Sequence, residues 1–277
     1  MQKCGSRALG QGARMITEIF NNSKHFFELG ESDKSKYSRT NGLRNHGYVC
    51  IGRERLDPSR PIDLKGAFNY TPMDPGEWPT EEVPGMKESF TNLYNSFRLL
   101  SYNVLDVLSL ALGFEDRHFF RNYHKGMGGT ENPSTLRALH YPPLPETDVK
   151  QGQLRCTEHV DHRVLTFLVQ DQNGGLEVCN RDGKYIRLKP DPECICIIIG
   201  NILQRFTSDK LLATKHRVRI PEDDVLKQST RQSQAFFLHP DNDVIIRCLD
   251  GNDAYEPISS IDYLAWRFNK YFKEETI

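Results

Sequence analysis

His159-Val160-Asp161, and His216 within Lys215-His216-Arg217-Val218, each border a strand-like stretch of this chain. Together they offer two imidazoles and one carboxylate. That ligand set holds a non-haem Fe(II) on one face and leaves the remaining positions open for oxygen chemistry. A zinc hydrolase draws on the same ligand types, and an H-x-D with a distant histidine often arises by chance. Neither H-E-x-x-H nor G-x-S-x-G occurs, however. Farther on, Arg231-Gln232-Ser233 places a cation and a hydroxyl two residues apart. On a strand, such side chains share a face, and an arginine fork beside a hydroxyl suits a carboxylate.

These residues need elements to position them. Residues 1–12 are Gly-rich and unpatterned, and a helix is predicted from Met15 to Leu29 with Ile16, Ile19, Phe20 and Phe27 on one stripe. Residues 30–83 read as loops with short strands. A long helix is expected from Met86 to Leu112, where Phe90, Leu93, Phe97, Leu100, Val104 and Val107 follow a 3-4 spacing. That spacing admits a coiled coil, but Leu99, Leu108 and Leu110 widen the stripe and favour a helix packed on a sheet. From Leu136 the period changes to strands: Leu136–Tyr141, 163–170, Leu176–Cys179, 185–188, 194–199, 216–220, 234–238 and 244–247. Asp182-Gly183 marks a hairpin. Short strands with regular turn signals predict a sandwich or barrel. Ser259-Ser260-Ile261-Asp262 caps a last helix, with Ile261, Leu264, Ala265 and Phe268 as its apolar face.

Composition fits a soluble globular chain, with 38% hydrophobic and 26% charged residues. A net charge of −1 provides no field for nucleic acid or an anionic membrane. The basic residues Lys34, Lys36 and Arg39 read as a solvated face. The 7 cysteines are scattered without a C-x-x-C pair, and all are expected to be small core hydrophobes in a reducing compartment. No window approaches the ~18 apolar residues of a membrane span, and the first twenty residues lack a signal-like apolar run. A cytoplasmic monomer is the expectation.

The chain resembles the isopenicillin N synthase-like branch of the 2-oxoglutarate- and Fe(II)-dependent dioxygenases from about Met15 to Tyr271. The resemblance rests on Gly47-Tyr48-Val49, Asp63-Leu64-Lys65 with Phe68-Asn69, Ser134-Thr135-Leu136-Arg137, and His140-Tyr141-Pro142-Pro143. Downstream it continues in Gln170-Asp171 with Gly174-Gly175-Leu176, Leu203-Gln204-Arg205-Phe206-Thr207 and Phe236-Phe237-Leu238.

The resemblance implies a mainly β fold with flanking helices, a double-stranded β-helix or jelly roll. Its regions would be an N-terminal helical and loop region (1–133), the jelly-roll core (134–250) and a C-terminal helix (251–277). It implies Fe(II) on His159, Asp161 and His216, and 2-oxoglutarate gripped by Arg231 and Ser233 with support from Tyr141. The keto-acid clamp favours iron over zinc. Dioxygen and 2-oxoglutarate would be consumed, with ascorbate as a reductant. A small organic molecule would be oxidised, typically hydroxylated, as succinate and CO2 are released.

His140, His162 and His239 match no ligand position and are expected beside the site or on the surface. Phe206 and Phe237 are expected to line the pocket or pack in the core. Two departures stand out. Leu139 occupies a position that is often Asn in plant relatives. An upstream strand ending in Asn-His-Gly, usual before the first helix, has no counterpart in residues 1–12, which leaves an open sheet edge as an expectation. Two other readings accompany the dioxygenase: a catalytically weak or inactive jelly-roll binding protein, and an Fe(II) oxidase that does not use 2-oxoglutarate.

Overall fold

A computed structural model describes residues 2–39, 45–54, 60–74, 76–144 and 149–271. Helices α1 (Gln2–Glu28) and α2 (Glu31–Ser35) lead into strands β1 (Gly47–Val49) and β2 (Gly66–Tyr70), then α3 (Met86–Ala111) and α4 (Phe119–Asn122). Strands β3 (Thr135–Tyr141), β4 (Cys156–His159), β5 (Leu165–Gln170), β6 (Leu176–Cys179), β7 (Tyr185–Arg187) and β8 (Cys196–Ile199) follow. The chain continues through α5 (Asn201–Phe206), β9 (His216–Val218), α6 (Asp224–Lys227), β10 (Arg231–Leu238), β11 (Ile245–Ile246), β12 (Ile258–Ser259) and α7 (Ser260–Tyr271).

Two antiparallel sheets carry the architecture, in the orders β1-β2-β3-β10-β5-β8 and β4-β9-β6-β7. Their inner faces meet through Tyr141, Leu168 and Ala235 of the larger sheet and Cys156, Leu176 and Val218 of the smaller. The outer face of the larger sheet packs on α1 and α3 through Phe26, Phe90, Tyr94, Phe97, Phe167 and Phe236. This is the expected jelly roll with flanking helices. β8 ends the larger sheet with one partner among the described residues, and Ile195 and Ile197 beside that edge are exposed. No helix of the described residues is long and apolar enough to cross a membrane.

The differences from expectation have local causes. α1 begins at Gln2 rather than Met15. Gly5, Gly10 and Gly12 cost helix about 1 kcal/mol each, but no proline breaks the run. On α3 the buried face runs through Phe90, Tyr94, Phe97, Ser101 and Leu105, while Val107 is 66% exposed. A straight helix drifts against a seven-residue repeat, so the stripe rotates away from Val107, and α3 lies on the sheet instead of forming a coiled coil. Arg39 is buried, not solvated, and its Nε donates to Asn45 Oδ1 at 3.2 Å. Cys194 is exposed rather than in the core. At the start of α7, Ser259 and Asp262 exchange the expected cap: Asp262 N–H donates to Ser259 Oγ at 3.1 Å, and Ser259 Oγ donates to Asp262 Oδ2 at 2.6 Å.

Candidate active site

His159 is the last residue of β4, and its ladder partner on β9 is His216. A cross-strand pair brings side chains within about 5 Å, and the two rings stand 4.2 Å apart. Asp161 follows β4, in the connection to β5 and not at a strand start as its spacing suggested. The first turn of α5 fixes that connection. Asn201 N–H donates to Asp161 O at 2.7 Å, and Ile202 N–H donates to Arg163 O at 3.0 Å. Gly200 makes the approach feasible, because a Cβ there would overlap the carbonyl of Arg163.

Asp161 Oδ1 lies 3.6 Å from His159 Nε2 and 3.9 Å from His216 Nε2. One ligand atom from each residue falls within 4.8 Å of the others, the only such cluster among the described residues. Both Nδ1 atoms face backbone carbonyls, His159 to Thr157 at 2.7 Å and His216 to Thr214 at 3.0 Å. With Nδ1–H donating there, both Nε2 lone pairs are free for a metal. Thr166 Oγ1 donates to Asp161 Oδ2 at 2.6 Å and leaves Oδ1 for the ion.

Burial alone would raise the Asp161 carboxyl, but His216, His159 and Thr166 hold it well below the usual carboxylate range. Burial works against charge on both imidazoles. Cys156 and Asp161 reverse this at His159 and hold it well above its ordinary value, whereas burial and the charge on His159 keep His216 low. Two nitrogens and a carboxylate thus converge on one point, where a divalent cation fits.

The same cavity contains Arg231, Ser233 and Tyr141. Arg231 opens β10 opposite Tyr141 of β3, and its guanidinium lies 4.6 Å from the tyrosine ring. Its Nη1 donates to Ser233 Oγ at 3.3 Å, as the i, i+2 spacing predicts, and Nη2 donates to Gln170 Oε1 at 3.1 Å. Its Nε donates to Gly174 O, presented by a turn in which Gly174 and Gly175 have φ of 65° and 90°. Of the five donors of a guanidinium, two remain. Arg231 is 1% exposed and forms no salt bridge among the described residues. A buried cation without a counter-ion is costly, and a ligand carboxylate would supply the missing charge.

Beyond the metal cluster the cavity is lined by Asn45, Glu54, Arg137, Arg163, Phe237 and Phe268. Phe237 therefore lines the pocket, while Phe206 packs with Phe120 and Tyr123 in the core. None of His140, His162 and His239 is on the surface. His239 is fully buried, His162 lines the cavity and His140 stacks on Phe27 at 4.6 Å. Sequence reasoning missed Thr166, Arg163 and Glu54. A threonine beginning the strand after H-x-D was the one available signal, and only for Thr166.

Comparison with known proteins bears on the same residues. A family model described as the 2OG-Fe(II) oxygenase superfamily matches residues 132–240. Another, the N-terminal region of non-haem dioxygenases in morphine synthesis, matches 10–92. The proline hydroxylase buaE of Petromyces alliaceus is 30% identical over 279 residues, covering 92% of this chain and 83% of that protein. The chain belongs to the 2-oxoglutarate–Fe(II) oxygenase superfamily. The oxygenase is also 31% identical over 261 residues to the 2-oxoglutarate-dependent dioxygenase htyE of Aspergillus rugulosus, covering 85% of this chain and 77% of that one. A full-length Neurospora crassa protein solved with alpha-KG superimposes with a TM-score of 0.82 at 27% identity, over 93% of this oxygenase and 83% of that chain. A 2OG-Fe(II) oxygenase family protein of Caulobacter crescentus gives a TM-score of 0.78 at 31% identity, over 93% and 86%. The oxygenase is thus an enzyme with Fe(II) as its metal and 2-oxoglutarate as its cosubstrate, acting on a small molecule.

Proposed function

We propose that this oxygenase hydroxylates a small organic molecule, with His159, Asp161 and His216 holding Fe(II) and with Arg231, Ser233 and Tyr141 seating the far carboxylate of 2-oxoglutarate. One observation carries the reading: a cluster of three ligand groups and a buried arginine without a counter-ion open into one cavity. Bound Fe(II) supplies the oxidative chemistry in which dioxygen and 2-oxoglutarate become succinate, CO2 and a hydroxyl group on the substrate.

The chain's own residues do the rest. Thr157 O and Thr214 O orient the imidazoles, and Thr166 orients the carboxylate. Arg231 fixes the keto acid along the cavity. The three regions divide this work. Residues 134–250 carry the metal and cosubstrate groups, while Asn45, Glu54, Lys65 and Asn69 from 1–133 and Phe268 from 251–277 complete the lining of the cavity.

The test is succinate release from 2-oxoglutarate with Fe(II) and ascorbate. Losing one partner of a desolvated charge pair costs roughly 2–5 kcal/mol, so Arg231→Ala should raise the KM for 2-oxoglutarate about 30-fold or more. Lysine should rescue it only in part, because it lacks the planar fork. An unchanged KM in Arg231→Ala would remove Arg231 from the cosubstrate site.

A further inference from the structure

The cavity has a second cationic end. Alternate residues of β10 line it in the order Arg231, Ser233, Ala235, Phe237. At ~3.3 Å per residue, Arg231 and Phe237 are about 20 Å apart. Arg231 closes the end given to the cosubstrate. Beside Phe237, at the other end, stands Arg163, which follows the metal-cluster residue Asp161 by two positions. Its guanidinium carbon lies 5.8 Å from the Phe237 ring and 6.0 Å from the Phe268 ring.

The charges around it do not balance. Arg137 is bonded bidentately to Glu54, at 2.9 and 2.7 Å. Lys65 pairs with Asp63 at 2.7 Å and lies 3.7 Å from Glu54. Those two cations are matched by two carboxylates. Arg163 is 5% exposed, forms no salt bridge among the described residues, and has a buried Nη1 with no hydrogen-bond partner. Asp161 is the anion that acts on it most strongly. Its carboxylate is already committed, with Oδ2 accepting from Thr166 and Oδ1 facing the two imidazoles. A buried guanidinium with an unsatisfied donor needs a charged acceptor, and Arg163 faces the cavity without one.

We infer that Arg163 receives a carboxylate of the oxidised substrate, so that the enzyme takes a small organic acid whose apolar body lies against Phe237 and Phe268. The inference rests on the cavity's being the active site. It adds the substrate's charge and the group that reads it. The two arginines then divide two acids between the ends of one cavity, the keto acid at Arg231 and the substrate at Arg163.

The experiment is calorimetric titration of the anaerobic protein, loaded with Fe(II) and 2-oxoglutarate. The probes are L-proline and benzoate, each paired with its amide, and thymine as a neutral ring. The proteins are wild type, Arg163→Gln, Arg163→Lys and Arg231→Ala. In the wild type at least one carboxylate should bind about 30-fold or more tighter than its amide. Arg163→Gln should abolish that preference, and Arg163→Lys should keep part of it. Both Arg163 variants should bind 2-oxoglutarate as the wild type does.

Arg163→Gln should melt no lower than wild type, since it removes an uncompensated buried charge. A structural cation would behave oppositely, and a lower melting temperature with an intact carboxylate preference overturns the inference. So does equal binding of acid and amide in the wild type, binding of thymine alone, or binding of no carboxylate. A preference lost in Arg231→Ala but kept in Arg163→Gln would place the acid at the cosubstrate end and overturn the inference equally. Failure of 2-oxoglutarate itself to bind would sink the proposed function. The titrations, repeated with Fe(II) alone, would still decide Arg163.

Discussion

Thr166 shows how much of the proposed metal site depends on a residue that is not itself a candidate ligand. Its hydroxyl occupies one oxygen of Asp161 and turns the other toward the two imidazoles. Groups that orient metal ligands typically contribute 10–100-fold in metal affinity. Thr166→Val keeps the shape and removes the donor. The Fe(II) concentration for half-maximal activity should rise by about that factor, with turnover at saturating iron within a few-fold of wild type. An unchanged iron dependence would show that Asp161 is oriented without Thr166. The His159–Asp161 and Arg231–Ser233 pairs were legible because one residue separates their members, whereas His216 joined the set through the family resemblance, since its pairing with His159 is made across the fold. Arg163 and Glu54 were not. Arg137 and Glu54 meet across 83 residues of sequence, and nothing in the spacing of either announces the other. The lack of a partner at Arg163 is a property of the packed cavity, not of its neighbours in the chain.

Strand β10 is the element on which both faces of the protein depend. It lies between β3 and β5, and its odd-numbered residues line the cavity while Phe236 points to the helices. Phe236 is fully buried, with ring centroids 5.1 Å from Tyr94 and 5.6 Å from Phe97. Phe236→Ala should cost about 3–5 kcal/mol and lower the melting temperature by roughly 6–20 °C. Phe237→Ala, one position along, should leave melting nearly unchanged and weaken substrate rather than 2-oxoglutarate. If both variants lost stability alike, the two-faced description of β10 would be wrong. The strand itself was legible from alternation only over Gln234–Leu238. Its first residues, Arg231 to Ser233, are polar though buried, with Arg231 and Ser233 on the cavity, so their pattern lacks the apolar signal by which strands are recognised. β4 was missed for the same reason: Cys156–His159 is short and polar, and the ladder with β9 makes it a strand.

At the scale of the whole molecule, burial of neutral histidines sets the acid limit. Burial pushes His124 down to about 4, against the pull of the Phe120 carbonyl. Burial, aided by Lys34 and Arg155, does the same to His140, also to about 4. In the unfolded chain both sit near the ordinary ~6.5. Below that value the unfolded state binds protons that the folded state refuses, so each group's contribution is complete above about pH 6.5. It is lost as pH falls toward about 4. The loss is about 1.4 kcal/mol per pH unit for each histidine. Urea unfolding at pH 7.5, 6 and 5 should show this decline, and His140→Phe, which preserves the stack on Phe27, should flatten it. A decline of equal slope in His140→Phe would assign the acid sensitivity elsewhere. The general plan, helices on one face of a jelly roll, was legible from periodicity and family motifs. The joining of β1 and β2 to the main sheet was not, because both lie in a stretch whose turn residues mask their short pairing segments.

The position of β10 also sets the order in which the protein comes into being. Synthesis delivers β3 and β5 long before the strand that must lie between them, so the larger sheet waits as two halves with open facing edges. Until Arg231 has emerged, the nascent chain carries His159, Asp161 and His216, the proposed metal ligands, but not the arginine proposed to hold the cosubstrate. Such a delayed, long-range closure slows folding and leaves strand edges open to wrong partners. A chain released before β10 would hold the proposed iron ligands in a cavity that lacks its floor.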